Sequence, residues 1–516
     1  MSTAQRLLKG SFFRNADLFV ALGVTFFVTP FIVRSLGNRM YGFWTLIGAF
    51  LGYYGLLDFG LSSAAARYIS QALGKGGDDD LNGIANTAFF LFCLMGAAVL
   101  LVTVLTILAC PSFMRDPGEI ALFRKLILLM GVATAIGFPA RVYVGILTSY
   151  IRYDALAYIG IVRTLISNAA IYHSLGKGGG IMEVAIITFT ANLLQNAAFY
   201  AICTAHYPHI KIVFFRFDAA KIGMMFDHSW KTFFCQVGDL LRVRVDSVVI
   251  AAFLSVGLVT PYAIGSRIVD GFVNLVLNSV GMMVPVFSQY EGRGDFDSIK
   301  SALLMITRFS AILSAFFGFS IIFYGSAFIR RWMGPGFESS YVVTVILCIG
   351  FILHLPQSPG VQLLTGLSKH GSYALLSAFE GLVNLALSLI LLKYYGMYGV
   401  ALGSAVEMIF FKLLVQPFYI CRVVQLPVRT YLVNVILGTL AKTALPLGCY
   451  FFLIRGLVLP DYGRLVACVA VQTMIFIPAA YCFILGADEK RIINRLAASI
   501  FEKPVMKPAE GINAAV

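Results

Sequence analysis

Long apolar segments recur along nearly the whole chain and are separated by short polar joints. A transmembrane helix needs about 20 mostly apolar residues. The pattern therefore predicts an all-α polytopic membrane protein with about fourteen transmembrane helices. The predicted helices cover 12–36, 41–73, 83–110, 119–148, 154–175, 181–205, 228–255, 259–290, 299–326, 339–366, 371–394, 397–423, 430–456 and 462–486.

The first twelve predicted helices form two similar groups of six. The phrase SQALGKG at 70–76 ends the second helix, and SQYEGRG at 288–294 ends the eighth helix. Six spans separate equivalent helices, so the halves share an orientation and are related by an axis along the membrane normal. We expect two pseudo-symmetric lobes, two further helices and a cytoplasmic tail, with borders at 1–210, 211–425, 426–487 and 488–516.

Charge supports a membrane protein with both termini in the cytoplasm. Only 12% of the residues are charged, and the net charge is +14. About 20 basic residues fall in joints predicted inside against about 11 outside, which is the asymmetry that sets membrane orientation. No basic cluster extends through an exposed domain, so nucleic acid is not an expected partner. The nine cysteines contain no C-x-x-C pair and no histidine lies at metal-ligand spacing, so no metal or cofactor is expected.

Several predicted helices carry polar residues on one face. A charge at mid-bilayer costs about 3 kcal/mol, so these residues should face protein or water. The eighth helix has Arg267, Asp270, Asn274 and Asn278 at i, i+3, i+7 and i+11. The other stripes are Ser377, Glu380, Asn384 and Ser388 on the eleventh helix, Thr134, Arg141 and Thr148 on the fourth, and Thr188, Asn192 and Gln195 on the sixth. Together they predict a wet interior shared by both lobes.

Arginine is more frequent than acidic residues in this predicted interior, which suits an anionic ligand such as a diphosphate. The candidate substrate-binding residues are Arg14, Arg67, Arg141, Arg242, Arg244, Arg267, Asn274 and Asn278. The candidate ion-coupling residues are Asp58, Asp246, Asp270, Glu380 and Glu407. The alternative is that these residues only join helices, because interhelical hydrogen bonds contribute below about 2 kcal/mol each. Prolines at 30, 285, 356 and 359 predict bends.

Five short segments resemble the polysaccharide-transporter family, the Wzx-like O-antigen and exopolysaccharide flippases of the multidrug/oligosaccharidyl-lipid/polysaccharide exporter superfamily. The segments are PFIVRSLG at 30–37, YGFW at 41–44, LDFGL at 57–61 with the dipeptide RY at 67–68, LTGLSK at 364–369 and YGMYGVA at 395–401. The resemblance implies a two-lobed fold, similar to that of the MATE multidrug exporters, that opens alternately to each side of the bacterial inner membrane.

The resemblance also implies the cargo and its energy source. The cargo would be an undecaprenyl-diphosphate-linked oligosaccharide, exported for lipopolysaccharide or exopolysaccharide biosynthesis. An H⁺ or Na⁺ gradient would drive export, and no Walker A motif is present for ATP. Membrane lipids and polysaccharide polymerase machinery are further implied partners. The last two helices are similar to the lipid-tail groove of peptidoglycan-precursor flippases.

Two other classes of function compete with this interpretation. A multidrug exporter should have an acidic or apolar cavity, whereas this interior is predicted to contain several arginines. A membrane glycan polymerase or glycosyltransferase needs a sizeable external loop with catalytic carboxylates or histidine. The external joints here are short, so we expect a transporter without catalytic residues.

Overall fold

The structure is a computed structural model. It describes residues 3–75, 78–112, 116–213, 217–226, 245–280, 293–367, 371–456 and 461–486, together with 229–230, 233, 237, 283, 287, 290–291, 489–491 and 494. Within these residues the regular structure is helical and contains no strand. The predicted all-α fold is therefore confirmed.

Sixteen α-helices have defined bounds in the described part of the chain. The first lobe contains α1 (Thr3–Tyr54), α2 (Leu61–Lys75), α3 (Asp78–Ala109), α4 (Pro117–Ser149), α5 (Tyr153–Gly176) and α6 (Ile181–His206). The second lobe contains α7 (Val245–Phe253), α8 (Val256–Val280), α9 (Phe296–Trp332), α10 (Glu338–His354), α11 (Ser358–Gly366), α12 (Gly371–Tyr395), α13 (Met397–Phe410) and α14 (Gln416–Val424). The last two are α15 (Gly438–Ile454) and α16 (Tyr462–Ala479).

Eleven helices of the described residues are long and apolar enough to cross a membrane. The first of them, Ala16–Asp58, bends at Gly37, whose φ of 76° is outside the helical region. The helix α8 is not among the eleven, and its polar stripe lowers its hydropathy. The count of fourteen spans stays a prediction.

Local backbone geometry explains how the helices differ from the predicted ones. The predicted helix 41–73 breaks at a short 3-10 turn, Gly55–Asp58, because Phe59 and Gly60 adopt positive φ values. The predicted bend of the tenth helix is confirmed, since the 3-10 turn Leu355–Gln357 separates α10 from α11. By contrast, α1 continues through Pro30.

Three buried clusters show how the helices pack. One contains residues of α1 to α6, such as Phe43 and Phe199, and also Val256 at the start of α8. Another contains residues of the second lobe and extends to Leu440. The third contains residues of both lobes and includes Ile32, Ile264 and Trp332. Apolar burial of this kind is close-packed, so the third cluster holds the lobes together at the end that contains Gly37.

Polar contacts also hold the two lobes together at the end that contains Gly37, which is the locked end of the interface. Thr260 donates a hydrogen bond of 2.6 Å to the carbonyl of Asn38, and the indole of Trp332 donates one of 2.6 Å to the carbonyl of Phe26. A Cβ atom at Gly42 would lie 2.2 Å from the carbonyl oxygen of Val256, so only glycine permits this approach of α1 to α8. The orientation prediction places this end outside the cytoplasm.

Candidate transport site

A polar stripe follows α8 where this helix meets the first lobe. Arg267, Asp270 and Asn274 are exposed, and Asn278 is half-buried. Arg267 donates a hydrogen bond of 3.3 Å to the hydroxyl of Thr29, a buried residue of α1. The guanidinium of Arg267 therefore lies between the lobes and remains accessible to a ligand, as the predicted stripe requires.

The first lobe contributes two of the other predicted arginines. Arg67 on α2 is exposed, and its guanidinium carbon lies 5.8 Å from the centre of the Tyr68 ring. Arg141 on α4 is 32% exposed, pairs with Asp58 at 2.7 Å and lies 4.0 Å above the Phe138 ring. One guanidinium nitrogen of Arg141 is therefore paired with Asp58, while part of the side chain remains accessible to a ligand.

Asp58 is held by neighbours in the first lobe. It is 4% exposed and lies at the break before α2. The Ser62 hydroxyl donates to one carboxylate oxygen at 2.6 Å, and the Ser62 backbone N–H donates to the other at 3.3 Å. Asp58 thus caps the start of α2 and positions Arg141. Its role in ion coupling stays a prediction.

A buried polar network connects four helices of the second lobe. Tyr262 on α8 donates a hydrogen bond to the carboxylate of Asp246 on α7. The hydroxyl of Ser404 on α13 donates to the same carboxylate at 3.3 Å and accepts from Asn384 on α12 at 2.9 Å. Glu407, three residues after Ser404, is completely buried.

A second buried group contains an ion pair. The ammonium nitrogen of Lys412 lies 2.9 and 3.1 Å from the two carboxylate oxygens of Glu380, and both side chains are almost completely buried. The nitrogen is also 5.6 Å from the centre of the Tyr373 ring. Each charge of the pair compensates the other. Removal of either partner would leave an unpaired buried charge, which would strongly destabilise the protein.

These contacts correct one expectation from the sequence. The stripe on α12 does not line a wet interior, since the whole stripe is buried inside the second lobe. Lys412 and Ser404 supply the polar partners that water was expected to supply. The buried members are Ser377, Glu380, Asn384 and Ser388.

Three predicted residues cannot be placed at a site. The side chain of Arg14 lies outside the described residues, although its backbone is part of α1. Arg242 and Arg244 also lie outside the described residues. Their assignment to substrate binding stays a prediction.

Sequence reasoning missed several cations within the membrane helices, among them Lys412, Arg163 and Lys442. Arg163 on α5 donates a hydrogen bond of 2.8 Å to Asn192 on α6 and is attracted by the carboxylate of Asp17 on α1. All three cations lie well inside an apolar segment, and this position is the signal that could have identified them.

A cavity of about 870 Å³ opens beside the locked end of the interface. Its walls include Arg39, Asp116 and Glu119 of the first lobe and the turn 251–258 of the second lobe. Arg39 pairs with Glu119 at 2.6 Å and with Asp116 at 3.2 Å. In the described part of the chain, no group of three or more His, Cys, Asp or Glu side chains could hold a metal ion.

The arrangement defines a class of protein, a multi-pass membrane protein with two helical lobes around a charged interface. Two solved structures share the fold. A lipid II flippase, MurJ, in an inward closed conformation matches with a TM-score of 0.70 and 16% identity, over 93% of this chain and 99% of that one. An inward-facing multidrug resistance MATE transporter matches with a TM-score of 0.65 and 13% identity, over 79% of this chain and 98% of that one. This chain therefore shares its fold with these two proteins.

The chain belongs to the family described as polysaccharide biosynthesis proteins, which matches residues 33–341. It is also similar to the probable low-salt glycan biosynthesis flippase Agl15 of Haloferax volcanii. The two are 22% identical over 408 residues, which cover 76% of this chain and 79% of the relative. The family resemblance read from the five sequence segments is therefore confirmed.

Proposed function

We propose that this protein is a secondary transporter that flips an undecaprenyl-diphosphate-linked oligosaccharide across the bacterial inner membrane, from the cytoplasmic to the periplasmic leaflet. The observation that carries the proposal is the accessible guanidinium of Arg267 between the two lobes. An arginine binds a phosphate through two parallel charge-assisted hydrogen bonds. Membership of a polysaccharide biosynthesis family and the likeness to a glycan flippase support a lipid-linked sugar as cargo.

Export requires that the two lobes separate at the locked end. The hydrogen bonds from Thr260 to Asn38 and from Trp332 to Phe26 are the contacts that would open. We propose that the moving bodies are residues 1–210 and 211–425, with 426–487 packed on the second body and 488–516 forming a cytoplasmic tail. In this orientation both termini are cytoplasmic, and the cavity beside Arg39 receives the exported headgroup.

The buried acids of the second lobe are the best candidates for coupling to an H⁺ or Na⁺ gradient. Glu380 is already neutralised by Lys412, and Asp58 by Arg141. Within the part of the chain that the structure describes, Asp246 accepts hydrogen bonds from the hydroxyl groups of Tyr262 and Ser404. Glu407 is buried in the same helix as Ser404. A bound proton or cation would neutralise Asp246, and Glu407 and Asp270 are the other two candidates.

Reconstitution into liposomes tests the cargo. The purified protein should move a fluorescent polyprenyl-diphosphate sugar between leaflets, and Arg267→Ala should lower the initial rate about tenfold or more, since a charge-assisted hydrogen bond is worth about 1.5–3 kcal/mol. Arg464→Ala is the matched control, because Arg464 is exposed at the start of α16 and makes a 3.8 Å pair with Asp461. Equal rates for wild type and Arg267→Ala would contradict the proposed site. Transport of organic cations instead would identify a multidrug exporter.

The same vesicles test coupling. With an imposed H⁺ or Na⁺ gradient, Asp246→Asn or Glu407→Gln should remove the acceleration by the gradient and leave slow downhill flipping. Glu338→Gln, an exposed acid in the first turn of α10, serves as the control. If both variants respond to the gradient like the wild type, these two acids do not couple transport.

A further inference from the structure

Lys442 occupies the centre of a membrane span. The span Thr430–Ile454 has 25 residues, and Lys442 is its only Asp, Glu, Lys or Arg. Twelve residues precede it and twelve follow it, which places it about 18 Å from either end at 1.5 Å per residue. A lysine side chain reaches only about 6 Å, so it cannot bring its ammonium from the bilayer centre to the headgroups, about 15 Å away.

The side chain of Lys442 points out of the protein. Lys442 is exposed, and among the described residues no hydrogen bond or ion pair to it is found. The intramembrane cations inside the lobes are different, because Lys412 pairs with Glu380 and Arg141 with Asp58. An ammonium that faces hydrocarbon costs about 3 kcal/mol. Within the described residues, Lys442 on the exposed surface of α15 therefore has no negatively charged partner.

The residues around Lys442 form a face that suits another helix. This lysine face of α15 has the spacing i−4, i, i+3, i+7 and i+11 and contains Gly438, Lys442, Leu445, Cys449 and Leu453. The relative exposure of Leu445 is 72%, and that of Leu453 is 79%. Small residues such as glycine let two helices approach closely in a membrane.

We propose that the lysine face of α15 docks a transmembrane helix of another protein, with a carboxylate at mid-bilayer paired to Lys442. A carboxylate fits better than a lipid phosphate, because the headgroups lie at the membrane surface and Lys442 lies at its centre. A symmetric contact with a second copy of this chain through this face would place Lys442 near its own equivalent, and like charges repel. The proposal does not depend on the cargo that the protein moves.

Cross-linking to designed peptides tests this docking surface. The full-length protein is reconstituted in phosphatidylcholine vesicles with a Leu/Ala transmembrane peptide that carries one central Glu and one cysteine two turns away. Cys449 is exposed and lies seven residues after Lys442, so a disulfide should form between Cys449 and the peptide when copper(II)-phenanthroline is added to oxidise the two thiols. A matched peptide has Leu in place of Glu. Cys482, which is also exposed, is the internal control because it lies outside the lysine face.

The Glu peptide should cross-link to Cys449 at concentrations roughly three- to thirtyfold below those of the Leu peptide. Lys442→Leu should remove this preference, and Lys442→Glu should restore it for a peptide with a central Lys. Equal cross-linking of both peptides, or an unchanged preference in Lys442→Leu, would overturn the proposal. Loss of the preference on addition of anionic lipid would also overturn it, since a lipid would then be the occupant.

Discussion

At the residue scale, most of the intramembrane charges seen in the structure are balanced by a named neighbour. Asp58 accepts hydrogen bonds from Ser62 and pairs with Arg141, and Glu380 pairs with Lys412. Burying a charge without a partner is costly, and these pairs remove that cost. Arg267 stands out because its hydrogen bond to Thr29 is with a neutral hydroxyl, which leaves its charge available to an anion.

The pair of Asp58 and Arg141 should contribute to stability. Asp58→Asn keeps a group that can accept from Ser62 but removes the charge, so the free energy of unfolding should fall by about 1–3 kcal/mol. The measurement is thermal unfolding in detergent. Asp154→Asn is the control, because the pair of Asp154 with Arg152 is partly exposed and should matter by less than about 1 kcal/mol.

A double-mutant cycle separates this pair from general damage. Asp58→Asn combined with Arg141→Gln should destabilise less than the sum of the single changes, since each single change leaves one charge alone. Strictly additive effects would show that the 2.7 Å contact contributes nothing to stability.

At the element scale, the approach of α1 to α8 decides which side of the membrane is closed. Gly42 on α1 packs against the carbonyl of Val256 at the start of α8. The hydrogen bond from Thr260 to Asn38 lies beside this contact. Both features need a close fit of two backbones, which larger side chains would prevent.

Gly42→Ala should favour opening at this end. The added Cβ would sit 2.2 Å from a backbone oxygen, far inside contact distance, and backbone atoms cannot move aside as a flexible side chain can. Spin labels at Lys177 and Glu338, exposed positions of the two lobes, should show a larger population of long distances. Gly48→Ala is the control, because a Cβ at Gly48 meets nothing within 4 Å. Identical distance distributions for the two variants would rule out Gly42 as a determinant of closure.

At the scale of the whole molecule, the chain between the lobes is fastened to the first lobe. The side chain of Asn86 on α3 donates to the carbonyl of Lys211 at 2.9 Å and accepts from the backbone N–H of Val213. Asn82 adds hydrogen bonds to the backbone of His209 and Lys211. Movement of the second lobe must therefore begin beyond this attachment.

Asn86→Ala should release the connection. The amide of Val213 should exchange hydrogen about tenfold faster, because each lost hydrogen bond is worth about 1 kcal/mol or more when buried. Hydrogen exchange measured by mass spectrometry on peptides that cover 207–213 checks this. Thr190→Ala, an exposed position on α6, should leave the exchange unchanged. An unchanged rate in Asn86→Ala would mean that other contacts hold the connection.

The sequence by itself determined where most helices lie. Hydropathy predicted 119–148 and 181–205, and the structure has Pro117–Ser149 and Ile181–His206. Such helices could be predicted because the thickness and the apolar interior of the bilayer set the length and the composition of every spanning helix. The stripe on α8 could also be predicted, because residues three and four apart share one face of any helix.

Only the tertiary structure decided which charges are paired and which remain accessible. Asp58 and Arg141 are 83 residues apart in sequence, and Glu380 and Lys412 are 32 residues apart. The stripes on α8 and α12 have the same spacing, yet three of the four residues on α8 are exposed and all four on α12 are buried inside the second lobe. Periodicity places a side chain on a face of its own helix, whereas the neighbour of that face depends on how the other helices pack.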